Sequence, residues 1–283
     1  MRNLVASLSI CALLVAGGTP ASASECVHNP DALGVSRIIE IDTSSGPRFG
    51  TLQYKQTIEL APKEVVLTFD DGPHKINTMR VLNALREECV KATFFPVGTM
   101  TVNDPETLQA VADEGHTIGS HTWSHPVNIR RLADAKAAAQ IERGFHTINA
   151  AVDIQIAPFF RFPGLNHSKV MKAHAEQRGY AIFSTDVGSD DWRGIGASTI
   201  IRRTMVRLKQ KGGGIILFHD TKRTTAAALP SFLKALKKGG YKVVHIVPKR
   251  TYGTVVSAKA DSTPSELDTV AILTPPSKES NSN

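Results

Sequence analysis

Short apolar runs that stop at glycine, proline or charged residues alternate along this chain with longer stretches in which apolar residues recur every three or four positions. The clearest run is VVLTFDDGP at 65–73. Contiguous Val65, Val66 and Leu67 read as a strand buried on both faces, as in a parallel sheet, and Gly72-Pro73 ends it. At 77–88 the period changes, with Met79, Leu82 and Leu85 at helical spacing. The same exchange repeats. Strands are expected at 92–98, 116–119, 157–163, 180–186, 214–218 and 241–247, and helices at 104–114, 133–152, 168–178, 199–208 and 229–238. Six or seven such alternations argue for a parallel α/β fold, most simply a barrel.

The flanks behave differently. Residues 1–23 hold one arginine, an apolar run from Leu4 to Gly17 and Ala21-Ser22-Ala23, the pattern of a secretory signal peptide with its cleavage site. Export to the periplasm or the medium is therefore expected, with an uncleaved N-terminal anchor as the alternative. Residues 24–60 read as an N-terminal extension: SRIIEID at 36–42 alternates, turn chemistry follows, and a strand or two should lie against the main domain at 61–250. Residues 251–283 turn to Ser, Thr, Pro, Lys and Glu, the composition of a disordered tail. Cys11 would leave with the signal. Cys26 and Cys89 then remain, either as one disulfide in an oxidising compartment or as two unrelated cysteines.

A formal charge of +7 and a pI near 9.4 favour attraction to anionic wall or membrane polymers. The cations are scattered and carry no nucleic-acid-binding motif, so nucleic acid is not an expected partner.

Five places carry candidate chemistry. Asp70 and Asp71 lie at the C-terminal end of a buried strand, where α/β folds place their sites; adjacent strand residues point apart, so the two can hold different roles, although DDGP also fits a plain polar turn. In SHTWSHP, His121 and His125 stand four apart, and Pro126 favours a short turn over a long helix. Two histidines and a carboxylate are a common ligand set for a divalent ion that keeps an open position, but HxxxH alone is weak. Arg161 in RFPG is either an exposed charge or a buried guanidinium holding a carboxylate ionised. DVGSDDW at 186–192 gathers three acids and an aromatic, and also fits a polar turn. His219 ends the buried run IILFHD, where a lone histidine is commonly a satisfied core group.

In this order, TFDDGP, HTWSH, RFPG, DDW and LFHD closely resemble the five-motif pattern of the polysaccharide deacetylase family (the NodB-homology domain, carbohydrate esterase family 4), over roughly 65–247. The resemblance implies a distorted (β/α)7-type barrel and a metal hydrolase. By the same resemblance, Asp71, His121 and His125 match the metal ligands and Asp70 the general base. Arg161 matches the residue that orients the base, His219 the general acid, and Asp191 the carboxylate that tunes it. Trp192, Leu217, Pro163 and Gly164 would line the substrate pocket, with core packing the alternative for Leu217. The family's metal is usually zinc, sometimes cobalt or nickel.

Two departures stand out. Gly164 occupies a position where the family often has an aromatic residue, and both Asp190 and Asp191 precede Trp192, with Asp186 unranked upstream. The expected activity is removal of N-acetyl groups from a GlcNAc-containing glycan, of peptidoglycan or chitooligosaccharide type. An O-acetyl polysaccharide esterase and an inactive glycan-binding module are the alternatives. The glycan is the expected partner of a monomer, with no stable membrane span after signal cleavage.

Overall fold

The computed structural model describes residues 26–249, so the expected signal segment and C-terminal tail lie outside the described residues. The run that opens the chemistry is strand β3 (Glu64–Asp70), buried along its whole length. It lies parallel to β9 (Gly214–His219) over six positions, from Val65 opposite Gly214 to Asp70 opposite His219. This register sets Asp70 and His219 side by side. The other edge of β3 is shared: β10 (Lys242–Pro248) pairs at its start and β4 (Thr93–Phe95) at its end.

From β4 the strands continue parallel to β5 (Thr117–Ile118), and a bridge between Ser120 and Phe160 leads to β6 (Phe159–Phe160), which pairs with β7 (Ala181–Phe183). The chain then crosses to β8 (Val187–Gly188), which pairs with β9 and returns the ring to β3. The result is the expected distorted barrel. Before it, β1 (Arg37–Ile41) extends the sheet beside β10, and β2 (Arg48–Phe49) joins β7.

Alternation along β3 divides the core in two. Val65, Leu67 and Phe69 face the helices, where Phe69 stacks between Phe94 (5.1 Å) and Phe218 (5.7 Å). Helices α1 (Asn77–Glu87), α2 (Gly98–Asn103), α3 (Pro105–Asp113), α4 (Asp134–Ala150), α5 (Lys169–Gln177), α6 (Ala197–Lys211) and α7 (Arg223–Lys238) form the outer layer. Val66 belongs to the second cluster with Phe95, Phe159, Phe183 and Ile215, and Thr68 and Asp70 share its side of the strand.

Three elements differ from the periodicity reading. α2 lies outside the expected helices, because its GTMTVN has one turn and no apolar stripe. β8 is two residues long, too short to show a period. α7 starts at Arg223 rather than 229 and carries Pro230 in its interior; buried Thr225, Ala226 and Ala228 bind its first turns to the body of the protein, and packing prevails over the local signal.

Cys26 and Cys89 form a disulfide with Cα atoms 5.7 Å apart, 63 residues from one another in sequence. By loop-closure entropy such a crosslink stabilises by about 4 kcal/mol. No helix among the described residues is long and apolar enough to cross a membrane.

Candidate active site

Arg161 follows β6 and is wholly buried, with its guanidinium 4.4 Å from the centre of the Phe95 ring. Nη1 donates to Asp70 Oδ1 (2.7 Å) and Thr68 Oγ1 (2.8 Å). Nε donates to the Phe183 carbonyl (3.2 Å) and Nη2 to the Ser184 carbonyl (2.9 Å). These bonds fix both the guanidinium plane and the Asp70 carboxylate that it grips. Burial pushes the Asp70 carboxyl above its ordinary value, against the pull of the Arg161 charge. A carboxylate so placed has a strengthened appetite for a proton while one of its oxygens is held.

Asp71, the next residue, adopts a left-handed backbone with φ 77°. Its Oδ1 is buried without a hydrogen-bond donor among the described residues, 3.3 Å from His125 Nε2 and 3.7 Å from His121 Nε2. His121 Nδ1 donates to the Arg161 carbonyl (2.7 Å), which leaves the Nε2 lone pair directed at Asp71. Burial pushes the His121 imidazole down to about 3, so the ring is neutral. The HTWSH segment is a turn rather than a helix: Thr122 (φ 73°) and His125 (φ 53°) are both left-handed, and Thr122 Oγ1 accepts from the His125 amide (3.1 Å).

One ligand atom from each of Asp71, His121 and His125 lies within 4.8 Å of the others. A carboxylate oxygen without a donor, beside the His121 lone pair and the His125 ring nitrogen, fits a divalent cation.

On β9, beside Asp70, His219 Nδ1 donates to Asp191 Oδ1 (2.7 Å), and the His219 amide donates to Asp191 Oδ2 (2.7 Å). Thr225 Oγ1 donates to the same Oδ2 (2.6 Å). Burial alone would lower the His219 imidazole, but the bond and charge of Asp191 overcome it and raise the group to about 9. Asp191 itself is held low; burial opposes the ionised form, and the hydrogen bond from His219 restores it.

The neighbouring acids have other partners. Asp190 Oδ2 receives Arg203 Nη1 (2.9 Å) and Arg207 Nη2 (2.8 Å) from α6. Asp186 accepts from the Thr51 amide (2.7 Å), Thr57 Oγ1 (2.7 Å) and the Ile215 amide (2.8 Å), which ties the N-terminal extension to β9. Trp192 is 60% exposed under the Arg193 guanidinium. Leu217 is half-buried and shares a strand face with His219. Pro163 is buried, and Gly164 is exposed with φ 56°. Thr68 and Thr225 escaped the sequence reading because a threonine inside a strand or helix carries no spacing signal; only the fold sets them against Arg161 and Asp191.

A family model described as polysaccharide deacetylase matches residues 57–183. A peptidoglycan-N-acetylglucosamine deacetylase of Listeria monocytogenes is 34% identical over 184 residues, covering 65% of this chain and 38% of that protein. The chain thus spans well under half of that relative's length. One from Bacillus cereus is 32% identical over 189 residues, covering 65% of this chain and 86% of that protein. Among solved structures, a peptidoglycan deacetylase of Bdellovibrio bacteriovorus matches with a TM-score of 0.68 and 35% identity, over 75% of this chain and 59% of that one. Sequence, family model and fold agree: the chain belongs to the polysaccharide deacetylase family.

Proposed function

We propose that this protein is a metal-dependent hydrolase that removes N-acetyl groups from the GlcNAc units of a glycan, with peptidoglycan as the first substrate class and chitooligosaccharides as the second. The observation that carries the reading is the convergence of three groups at one end of two paired strands. Asp71, His121 and His125 form the cation site, Asp70 is gripped by buried Arg161, and the His219–Asp191 pair stands on the adjacent strand.

Asp71, His121 and His125 would hold the ion, with zinc expected and cobalt or nickel as substitutes for these nitrogen and oxygen donors. Bound there, a divalent cation supplies a Lewis acid for the acetyl carbonyl and lowers the pKa of water. Asp70, with Oδ1 occupied by Arg161, offers Oδ2 to take the proton of the attacking water. His219, charged at neutral pH through Asp191, donates from Nε2 to the departing amine. The Gly164 amide supplies a donor for the developing oxyanion, and Pro163, Leu217 and Trp192 bound the acetyl group and the sugar. The N-terminal 23 residues support export to the periplasm or the medium, and a net charge of +7 suits an anionic wall polymer.

The deciding experiment measures acetate released by the zinc-loaded protein from chitopentaose, purified peptidoglycan and acetylxylan, beside an Asp70→Asn control. The expected result is release from a GlcNAc glycan that falls by about 10²–10⁴ in the control while zinc binding survives. Release from acetylxylan alone would move the function to an esterase. Zinc binding with no release from any glycan would leave a binding module.

A further inference from the structure

Next to His219 is a buried carboxyl for which the chemistry above has no use. Asp220 is 1% exposed, and, as the next residue along, it faces the helix layer rather than the barrel interior. Its Oδ2 accepts from Thr78 Oγ1 in the first turn of α1, and its Oδ1 has no partner among the described residues. A carboxyl buried with one donor is a costly way to fill space, and an aliphatic side chain would serve packing alone better.

What the pair joins is informative. Thr78 Oγ1 also accepts the His74 amide (2.9 Å), so a chain of hydrogen bonds runs from the 71–76 turn through Thr78 to Asp220. A parallel link runs from Asn77 Nδ2 to the Thr221 carbonyl (2.8 Å). Gly72 packs directly on the carboxyl: a Cβ there would collide with Asp220 Oδ2. The turn so pinned begins at Asp71, whose left-handed backbone persists only where its surroundings over-determine it.

We propose that Asp220 is a positioning residue: with Thr78 it latches the turn that presents Asp71 to the strand that presents His219, and so sets the spacing between cation site and proton donor. The proposal rests on Asp71, His121 and His125 as the ligands. It assigns a role to a contact between residues 142 apart in sequence.

The test uses the full-length protein with Thr78→Val, Thr78→Ser, Asp220→Leu and Asp220→Asn. Zinc affinity is read by competition with a chromogenic chelator, acetate release by kcat and KM, and the turn by hydrogen exchange of the Asp71 and Gly72 amides without metal. Thr78→Val and Asp220→Leu should weaken zinc binding by about 10- to 100-fold and lower kcat more than KM. Both should speed exchange at Asp71 and Gly72. Thr78→Ser keeps the hydroxyl, and Asp220→Asn keeps an acceptor for it, so both should stay near the parent. A lowered melting temperature with parental zinc affinity and exchange in Thr78→Val and Asp220→Leu would overturn the proposal. So would an Asp220→Asn variant as impaired as Asp220→Leu. If the parent binds zinc yet releases no acetate, the deacetylase reading fails and the affinity comparison still decides the latch. If it binds no zinc, the ligand set on which the proposal rests fails, and the proposal is overturned with it.

Discussion

The two halves of the site flank paired strands on which Asp70 stands opposite His219, and they are in opposite conditions. On the side of Asp71, His121 and His125, three non-glycine residues, Asp71, Thr122 and His125, hold left-handed backbones, and the central carboxylate oxygen is buried without a donor. On the side of His219, the two oxygens of Asp191 receive an imidazole N–H, a backbone amide and a threonine hydroxyl. One half lacks a positive charge that no described residue supplies. The other is complete in protein groups alone. The first should therefore respond to metal, and the second to pH.

Stripping the metal with a chelator should give the largest effect. Acetate release should vanish and return with zinc, and at a metal concentration 100 times Kd the loaded protein should be more stable by about 2.7 kcal/mol. Calorimetry with and without chelator reads that difference as a rise of roughly 5–10 °C in melting temperature. Equal melting temperatures in the two states would dissolve the contrast between the halves.

Arg161→Met attacks the frame that both halves share. The substitution leaves the Asp70 carboxylate buried without its partner, and removal of one member of such a pair destabilises by about 3–5 kcal/mol. Urea unfolding at pH 7 should show a loss of that size, reduced at low pH, where Asp70 becomes neutral. A loss below about 1 kcal/mol would mean that the pair behaves like an exposed one.

Arg161 also marks how far the sequence could be read. The apolar runs located the barrel strands except β8, and strand alternation suggested that Asp70 and Asp71 point apart. β3 nevertheless ends at Asp70, and it is the left-handed backbone of Asp71 (φ 77°) that turns its carboxylate to the histidines. Nothing in RFPG could say whether the guanidinium faced water or Phe95, because the answer depends on where β6 sits against β4. Asp190 and Asp191 are identical in type and adjacent. They are told apart by the left-handed Asp190 (φ 61°) and by Arg203 and Arg207, thirteen and seventeen residues on, which take Asp190 and leave Asp191 for His219. Thr78 and Asp220 were invisible as a pair, since local spacing does not encode a contact across 142 residues.

The pH-sensitive half is broken by Asp191→Asn. The folded-state value of His219 is raised from 6.5 to about 9, so the stability it contributes is present below about 6.5 and lost as pH rises through about 9. In the metal-free parent, the melting temperature should decline across that window. In Asp191→Asn the decline should flatten, because the imidazole no longer gains a negative partner. The same variant should pull the alkaline limb of kcat to lower pH and cost about 10²–10⁴ in rate where His219 is no longer charged. Zinc affinity should not move. A variant that loses zinc instead would show that the halves are not separable.

The smallest effect belongs to the rim. Trp192 follows Asp191 directly, yet it is 60% exposed with Arg193 stacked upon it, so its indole contributes little to the core. Truncating an exposed side chain away from caps and buried partners changes stability by no more than about 0.5 kcal/mol. An exposed aromatic next in the chain to the carboxylate that partners His219 is suited to cover one face of a sugar ring, an interaction shared by ground state and transition state. Trp192→Ala should accordingly raise KM on a chitooligosaccharide while kcat and its pH profile stay in place, since uniform binding lowers KM without accelerating chemistry. A fall in kcat at constant KM would place the indole within the proton-donating half, holding His219 and Asp191 in register rather than holding sugar.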